Sequence, residues 1–175
     1  NDDRSSTFLL ENGVSIYGGF AGTETLLTQR NISLHVTTLS GDIDQVTGNA
    51  NNAYQVVVAS SVSLAAVLDG FTITAGNSNG NTGHGGGVYI QDASPALTNL
   101  IISDNNASAN GGGMFVLSIA SLRANYSSPS LENVIFSNNS AARGGGLHTQ
   151  NSSPVLLNVT FSGNDSYVVG GDAIR

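Results

Sequence analysis

The stretch GGGMFV (Gly111 to Val116), followed by SPSLEN (Ser128 to Asn133) and VIFSNN (Val134 to Asn139), decides the reading of this chain. It is the middle one of three near-copies. GGGVYI, SPALTN and LIISDN precede it (Gly85 to Asn105), and GGGLHT, SPVLLN and VTFSGN follow it (Gly144 to Asn164). A fourth start, GGDAI, falls at Gly170. The starts at Gly85, Gly111, Gly144 and Gly170 are 26 residues apart except across the middle copy, which is longer by extra residues around 117–125. A fixed period of this size means one structural unit stacked on itself.

Within each copy the apolar residues alternate as in strands and can be overlaid column on column. Val88, Met114 and Leu147 share one line. Leu97, Leu131 and Leu156 share a second, and Ile102, Phe136 and Phe161 a third. Each copy thus reads as three short strands ending in polar or Gly corners. Such a coil of roughly 26 residues is the size of one turn of a β-helix. Stacked turns lie about 4.8 Å apart, so like residues meet along the axis. Two Asn columns follow, Asn99/Asn133/Asn158 and Asn105/Asn139/Asn164. A carboxamide both donates and accepts, so such columns can form ladders that satisfy tight corners.

The rest of the chain fits the same class. Residues 6–20 hold two strand-like runs divided by a turn at Glu11-Asn12-Gly13. Residues 21–30 are the one place for a helical turn, with Thr23 as its expected cap. Val/Ile/Thr-rich runs over 32–39, 54–59 and 67–73 alternate with Gly/Asn/Asp loops. The sequence predicts a single all-β domain over 1–175, an irregular part to residue 84 and regular repeats from 85, the last one truncated at Arg175.

Composition narrows the function. Charged residues are only 10% of the chain, lysine and cysteine are absent, and the net charge is -7. Nucleic acid and anionic membrane are therefore poor partners. No stretch approaches the length of a membrane span. The Asn/Ser/Thr-rich, weakly charged profile points to an extracellular or bacterial cell-surface protein.

The repeat resembles the polymorphic outer-membrane-protein type, whose hallmarks are GGA-aliphatic and FxxN. Here they stand as GGG before Val88, Met114 and Leu147, and as Ile102–Asn105, Phe136–Asn139 and Phe161–Asn164. The departures are GGG for GGA, and Ile102 for Phe in the first copy. GVSIYGGFAGTET, TTLSGD and LDGFTITAGN look like the lead-in to such repeats in large bacterial surface proteins. The resemblance implies a right-handed parallel β-helix, in keeping with the crossover preference of parallel strands. About activity the resemblance is unspecific: such proteins are taken to be adhesins, autotransporter passengers or envelope components.

Parallel β-helices also carry polysaccharide lyases and hydrolases, so catalytic and metal residues need weighing. Asp42 and Asp44 are the nearest pair of carboxylates, and a calcium ion there competes with a solvated turn, the preferred reading. Gly83-His84-Gly85 resembles the GHG of polygalacturonase-like enzymes, but the acidic cluster and the Arg-x-Lys element that accompany it there are missing, and the chain has no lysine to make the latter. No catalytic residue and no cofactor are assigned. The expected contact surface is the outward column Tyr89, Phe115 and His148 of the first strand, with Ile101 and Ile135 on the third strand. Expected partners are copies of the chain, packed end to end into filaments or side by side, and surface glycans or host and matrix proteins. The alternative is a carbohydrate-binding or carbohydrate-cleaving module near Asp42, Asp44 and His84.

Overall fold

A computed structural model describes residues 3–45, 47–80, 83–119 and 127–168. Residues 120–125 of the extra segment and the fourth repeat start at Gly170 lie outside them. The described chain is all-β, with one 3-10 turn at Leu27–Gln29. Every strand pairing is parallel.

Three sheets are visited in rotation. The first holds β1 (Phe8–Leu10), β4 (Val57–Ser60), β8 (Val88–Gln91), β11 (Met114–Leu117) and β14 (Leu147–Gln150). The second is the widest. Its β2 (Ser15–Tyr17), β5 (Val67–Asp69), β9 (Ala96–Ser103), β12 (Ser130–Ser137) and β15 (Val155–Ser162) run in order, while β3 (Thr37–Ser40) and β6 (Phe71–Thr74) extend it beside β9. The third holds β7 (Asn77–Ser78), β10 (Asn106–Asn110), β13 (Ser140–Arg143) and β16 (Asp165–Ser166). Val88, Met114 and Leu147 stand in register, as do Leu97, Leu131 and Leu156. The columns read from the sequence are real neighbours.

The strand boundaries differ from the expected ones. The second and third strands of each copy are one eight-residue strand, and the third sheet forms after the FxxN corner, in what read as loop. The reason is the backbone of Asn99, Asn133 and Asn158, which all adopt φ between 51° and 54°. A left-handed residue inside a strand shifts the alternation by one, so Leu97 and Leu100 both face inward although three apart, and Ile102 follows. Gly70, at φ 85°, does the same between Leu68 and Phe71. The Glu11–Gly13 turn is likewise a corner between sheets, since β1 pairs with β4 and β2 with β5. The run over 32–39 keeps only β3 as strand; residues 31–36 arch over the second sheet. In the 3-10 segment Thr23 caps nothing. Glu24 accepts from the backbone N–H groups of Ala21 and Gly22, and Gln29 from those of Thr25 and Leu26.

The core is a stack of aliphatic columns that also holds Phe71 and Phe136, with the half-buried Phe161 packed against it. Phe136 and Phe161 lie parallel, their centroids 4.8 Å apart. The Gly triplets let the backbone of one circuit approach the next. A Cβ on Gly112 would sit 2.3 Å from the Ser140 carbonyl oxygen, a contact no side chain can make.

Candidate contact surface

Two carboxamide ladders run along the stack. The inner one is buried at Asn105 and Asn139 and half-buried at Asn164. Asn105 Nδ2 donates to Asn139 Oδ1 at 3.0 Å and Asn139 Nδ2 to Asn164 Oδ1 at 2.9 Å. The same oxygens accept the backbone N–H groups of Asn105 and Asn139, and Asn105 Oδ1 accepts that of Gly76. Spare amide hydrogens reach the carbonyls of Ile73 and Ile102. These are corner residues whose hydrogen-bonding groups are spent on architecture.

The outer ladder lies at the surface, where Asn133 and Asn158 are exposed. Asn158 donates to Asn133 at 2.7 Å, Asn133 to Asn99 at 3.1 Å, and Asn99 to Asp69 Oδ1 at 2.8 Å. Asp69 Oδ2 meets Arg30 at 2.5 Å. The guanidinium also donates to the carbonyls of Gly18 and Asp69 and lies over the Tyr17 ring. It occupies the space beside Gly70, where a Cβ would come within 2.9 Å of it. Arg30 thereby fixes the start of the 31–36 arch to the second sheet.

Between arch and sheet lies a groove of about 450 Å³. Ile32 and Val36 form one wall, Thr72, Ile101 and Ile135 the floor, and the ladder residues Asn99 and Asn133 the other side. Ile101 and Ile135 are 41% and 42% exposed, so the structure keeps these two as outward residues. They stand in register with Thr72 below and Thr160 above.

The other expected contact residues are different. Tyr89, Phe115 and His148 do form one column. Yet Phe115 is 1% exposed and His148 9%, and Tyr89 is half-buried. Phe115 is covered by His84, which stacks on it at 4.6 Å, and is flanked by Tyr89 and His148 at 5.8 and 5.5 Å. The column is a small satellite core on the outer side of the first sheet. Burial holds the His84 imidazole below its ordinary pKa, and its Nδ1 is enclosed without a hydrogen-bond partner among the described residues. Burial first, and the Asp92 charge second, push the Tyr89 hydroxyl up.

Asp42 and Asp44 lie in the turn after β3. Asp42 accepts from the Gln45 backbone N–H and Asp44 from the Asn51 amide. Among the described residues no three of His, Cys, Asp and Glu gather as a metal site would require. His84 is placed by the first and third sheets: its backbone bridges to Asn110 and its ring packs on Phe115.

Sequence reasoning missed the arch, the Arg30–Asp69 pair and the groove. One signal was available: LDGF aligns with the LTNL of β9 once Gly70 is set against Asn99, which puts Asp69 beside the ladder. No protein-family model matches the chain, and neither the curated proteins nor the solved structures give a match.

Proposed function

We propose that this chain is a right-handed parallel β-helix, with roughly 26 residues per coil, that serves as a structural and adhesive rod of a bacterial surface or matrix protein. The observation that carries this reading is where the repeated residues go. The Asn of FxxN, the second Gly of the triplet and the Phe columns are all consumed in stacking one circuit on the next. The column Ile101, Ile135 and Thr160 faces outward and is left for contacts. Extracellular placement rests on composition and on the resemblance to polymorphic outer-membrane-protein repeats.

Self-association end to end belongs to the same reading. Leu97 and Leu131 are fully buried, whereas Leu156, next in their column, is 40% exposed. A further circuit, from a second copy, would bury that surface and pair the edge of β15. Negative-stain electron microscopy of the concentrated protein tests it. Rods that lengthen with concentration are expected; uniform monomers at every concentration would overturn the filament part.

A carbohydrate module is the second reading, and the groove beside the outer ladder is the observation that favours it. Binding fits that groove better than cleavage at Asp42 and Asp44, whose carboxylates are tied into their own turn.

A further inference from the structure

We infer that the groove over Thr72, Ile101 and Ile135 is a binding site for a neutral, linear polysaccharide lying along the axis of the stack. This rests on the adhesive reading above and gives it a ligand class.

The ladder provides the polar side. Asn133 spends one amide hydrogen on Asn99 and one lone pair on Asn158, which leaves one donor and one acceptor at the surface. Asn99 has the same remainder, with Asp69 as its acceptor. Successive circuits therefore display a donor and an acceptor side by side, repeated every strand spacing of about 4.8 Å. A sugar hydroxyl is itself donor and acceptor, and an extended β-linked glycan advances by a comparable step per ring. The ladder also holds each amide in one orientation before any ligand arrives, so little side-chain entropy is lost on binding.

The floor provides the apolar side. Ile101 and Ile135 stand in adjacent strands with their side chains outward, a strip on which the C–H faces of pyranose rings can lie. Ile32 and Val36 of the arch make the wall that turns this strip into a groove, and the Arg30–Asp69 pair fixes the base of that wall.

Charge selects the class. None of the residues lining the groove carries a charge. Arg30, the guanidinium at the base of the arch, is already taken by Asp69 and two carbonyls, and the chain as a whole is at -7. Uronate-rich or sulfated chains would bring anions with nothing to pair them and would meet long-range repulsion. A glycan of neutral hexoses or N-acetylhexosamines meets neither cost.

The test is retention of the full chain on insoluble cellulose, chitin, curdlan and mannan, with polygalacturonate gel as the anionic control. The proteins compared are the wild type, Ile135→Glu and Ile101→Thr. Both sites are exposed, and circular dichroism spectra matching the wild type would establish that the variants fold. Expected is retention on at least one neutral glycan that 0.5 M salt leaves unchanged (about 0.5 M suppresses surface electrostatics). Ile101→Thr should weaken it by about fivefold, the worth of a small apolar contact, and Ile135→Glu should abolish it. Retention on none of the neutral glycans, retention on polygalacturonate alone, or retention that Ile135→Glu leaves intact would overturn the proposal. So would a change of oligomeric state on Ile135→Glu without loss of glycan, which would make the groove a contact between copies. Rods seen by microscopy without glycan retention would sink this site and leave the scaffold reading standing; glycan retention by a protein that never forms rods would keep this site and sink only the filament part.

Discussion

The side-chain amide of Asn99 donates to Asp69 Oδ1 at 2.8 Å, while the other oxygen of that carboxylate holds Arg30. One residue thus ends the surface ladder and anchors the arch. A carboxylate suits the place because it accepts on both oxygens and has no hydrogen to donate.

Asp69→Ala is therefore expected to cost about 3 kcal/mol in unfolding free energy, since it leaves the Arg30 charge enclosed and unpaired. Asp69→Asn should cost less, because Asn99 keeps an acceptor. The double change Arg30→Met with Asp69→Asn should cost less than the sum of the two single changes. Urea unfolding of the four proteins checks this; additive losses would mean that the pair does not act as a unit.

The two ladders should respond differently to alanine. Asn139→Ala strands the Ile102 carbonyl and the Asn105 N–H in the interior and is expected to cost about 2–4 kcal/mol. Asn133→Ala loses exposed hydrogen bonds and puts alanine at φ 54°, a cost of about 1–2 kcal/mol. Asn133→Gly removes the conformational part and should be milder than Asn133→Ala. Thermal melts of the three variants rank them.

Gly112→Ala should be among the most damaging single changes in the chain. The new Cβ would collide with the Ser140 carbonyl and force two circuits apart, so loss of soluble folded protein is expected. Gly13→Ala meets no atom within 4 Å and suffers only from its positive φ, a cost of about 1 kcal/mol. Expression yield and melting temperature separate the two.

The His84 imidazole should titrate below the ordinary histidine value, because burial against Phe115 disfavours its charged form. With the folded-state pKa depressed, the unfolded chain binds the proton first as pH falls. The neutral imidazole's contribution is intact above about pH 6.5 and is lost on going down toward the folded-state pKa. An NMR pH titration of His84 reads the value directly. His84→Phe, which keeps the stack without a titrating group, should flatten the fall in melting temperature between pH 7 and 5; an unchanged fall would place the effect elsewhere.

Much of this could be read before any coordinates. Gly85, Gly111 and Gly144 set the repeat, and the register pairs of β8, β11 and β14 follow from it residue by residue. What escaped was geometry that one backbone angle controls. Alternation cannot be followed through Asn99, Asn133 and Asn158, where a left-handed residue resets it, so one long strand was read as two. Phe115 sits at an outward position of its strand and was assigned to the surface. Its cover, His84, comes from the preceding corner, and nothing in the local pattern announces that. Ile101 and Ile135 were legible as outward residues, but the wall that makes a groove of them comes from residues 31–36, about 65 to 105 positions earlier in the chain.

The outer ladder has a chemical direction, every amide donating toward Asp69, and the inner ladder donates the opposite way, from Asn105 toward Asn164. The carboxylate can serve only as the terminus, whereas each Asn both receives and passes on. Copy number is accordingly a free variable of this molecule. Whole circuits can be duplicated or excised between Asn99 and Asn158 and the remaining amides will rejoin, with the Asp69 terminus and the arch undisturbed. Gene-segment duplication alone can lengthen such a stack of parallel strands, and each added copy would extend the ladder side of the groove by one more amide.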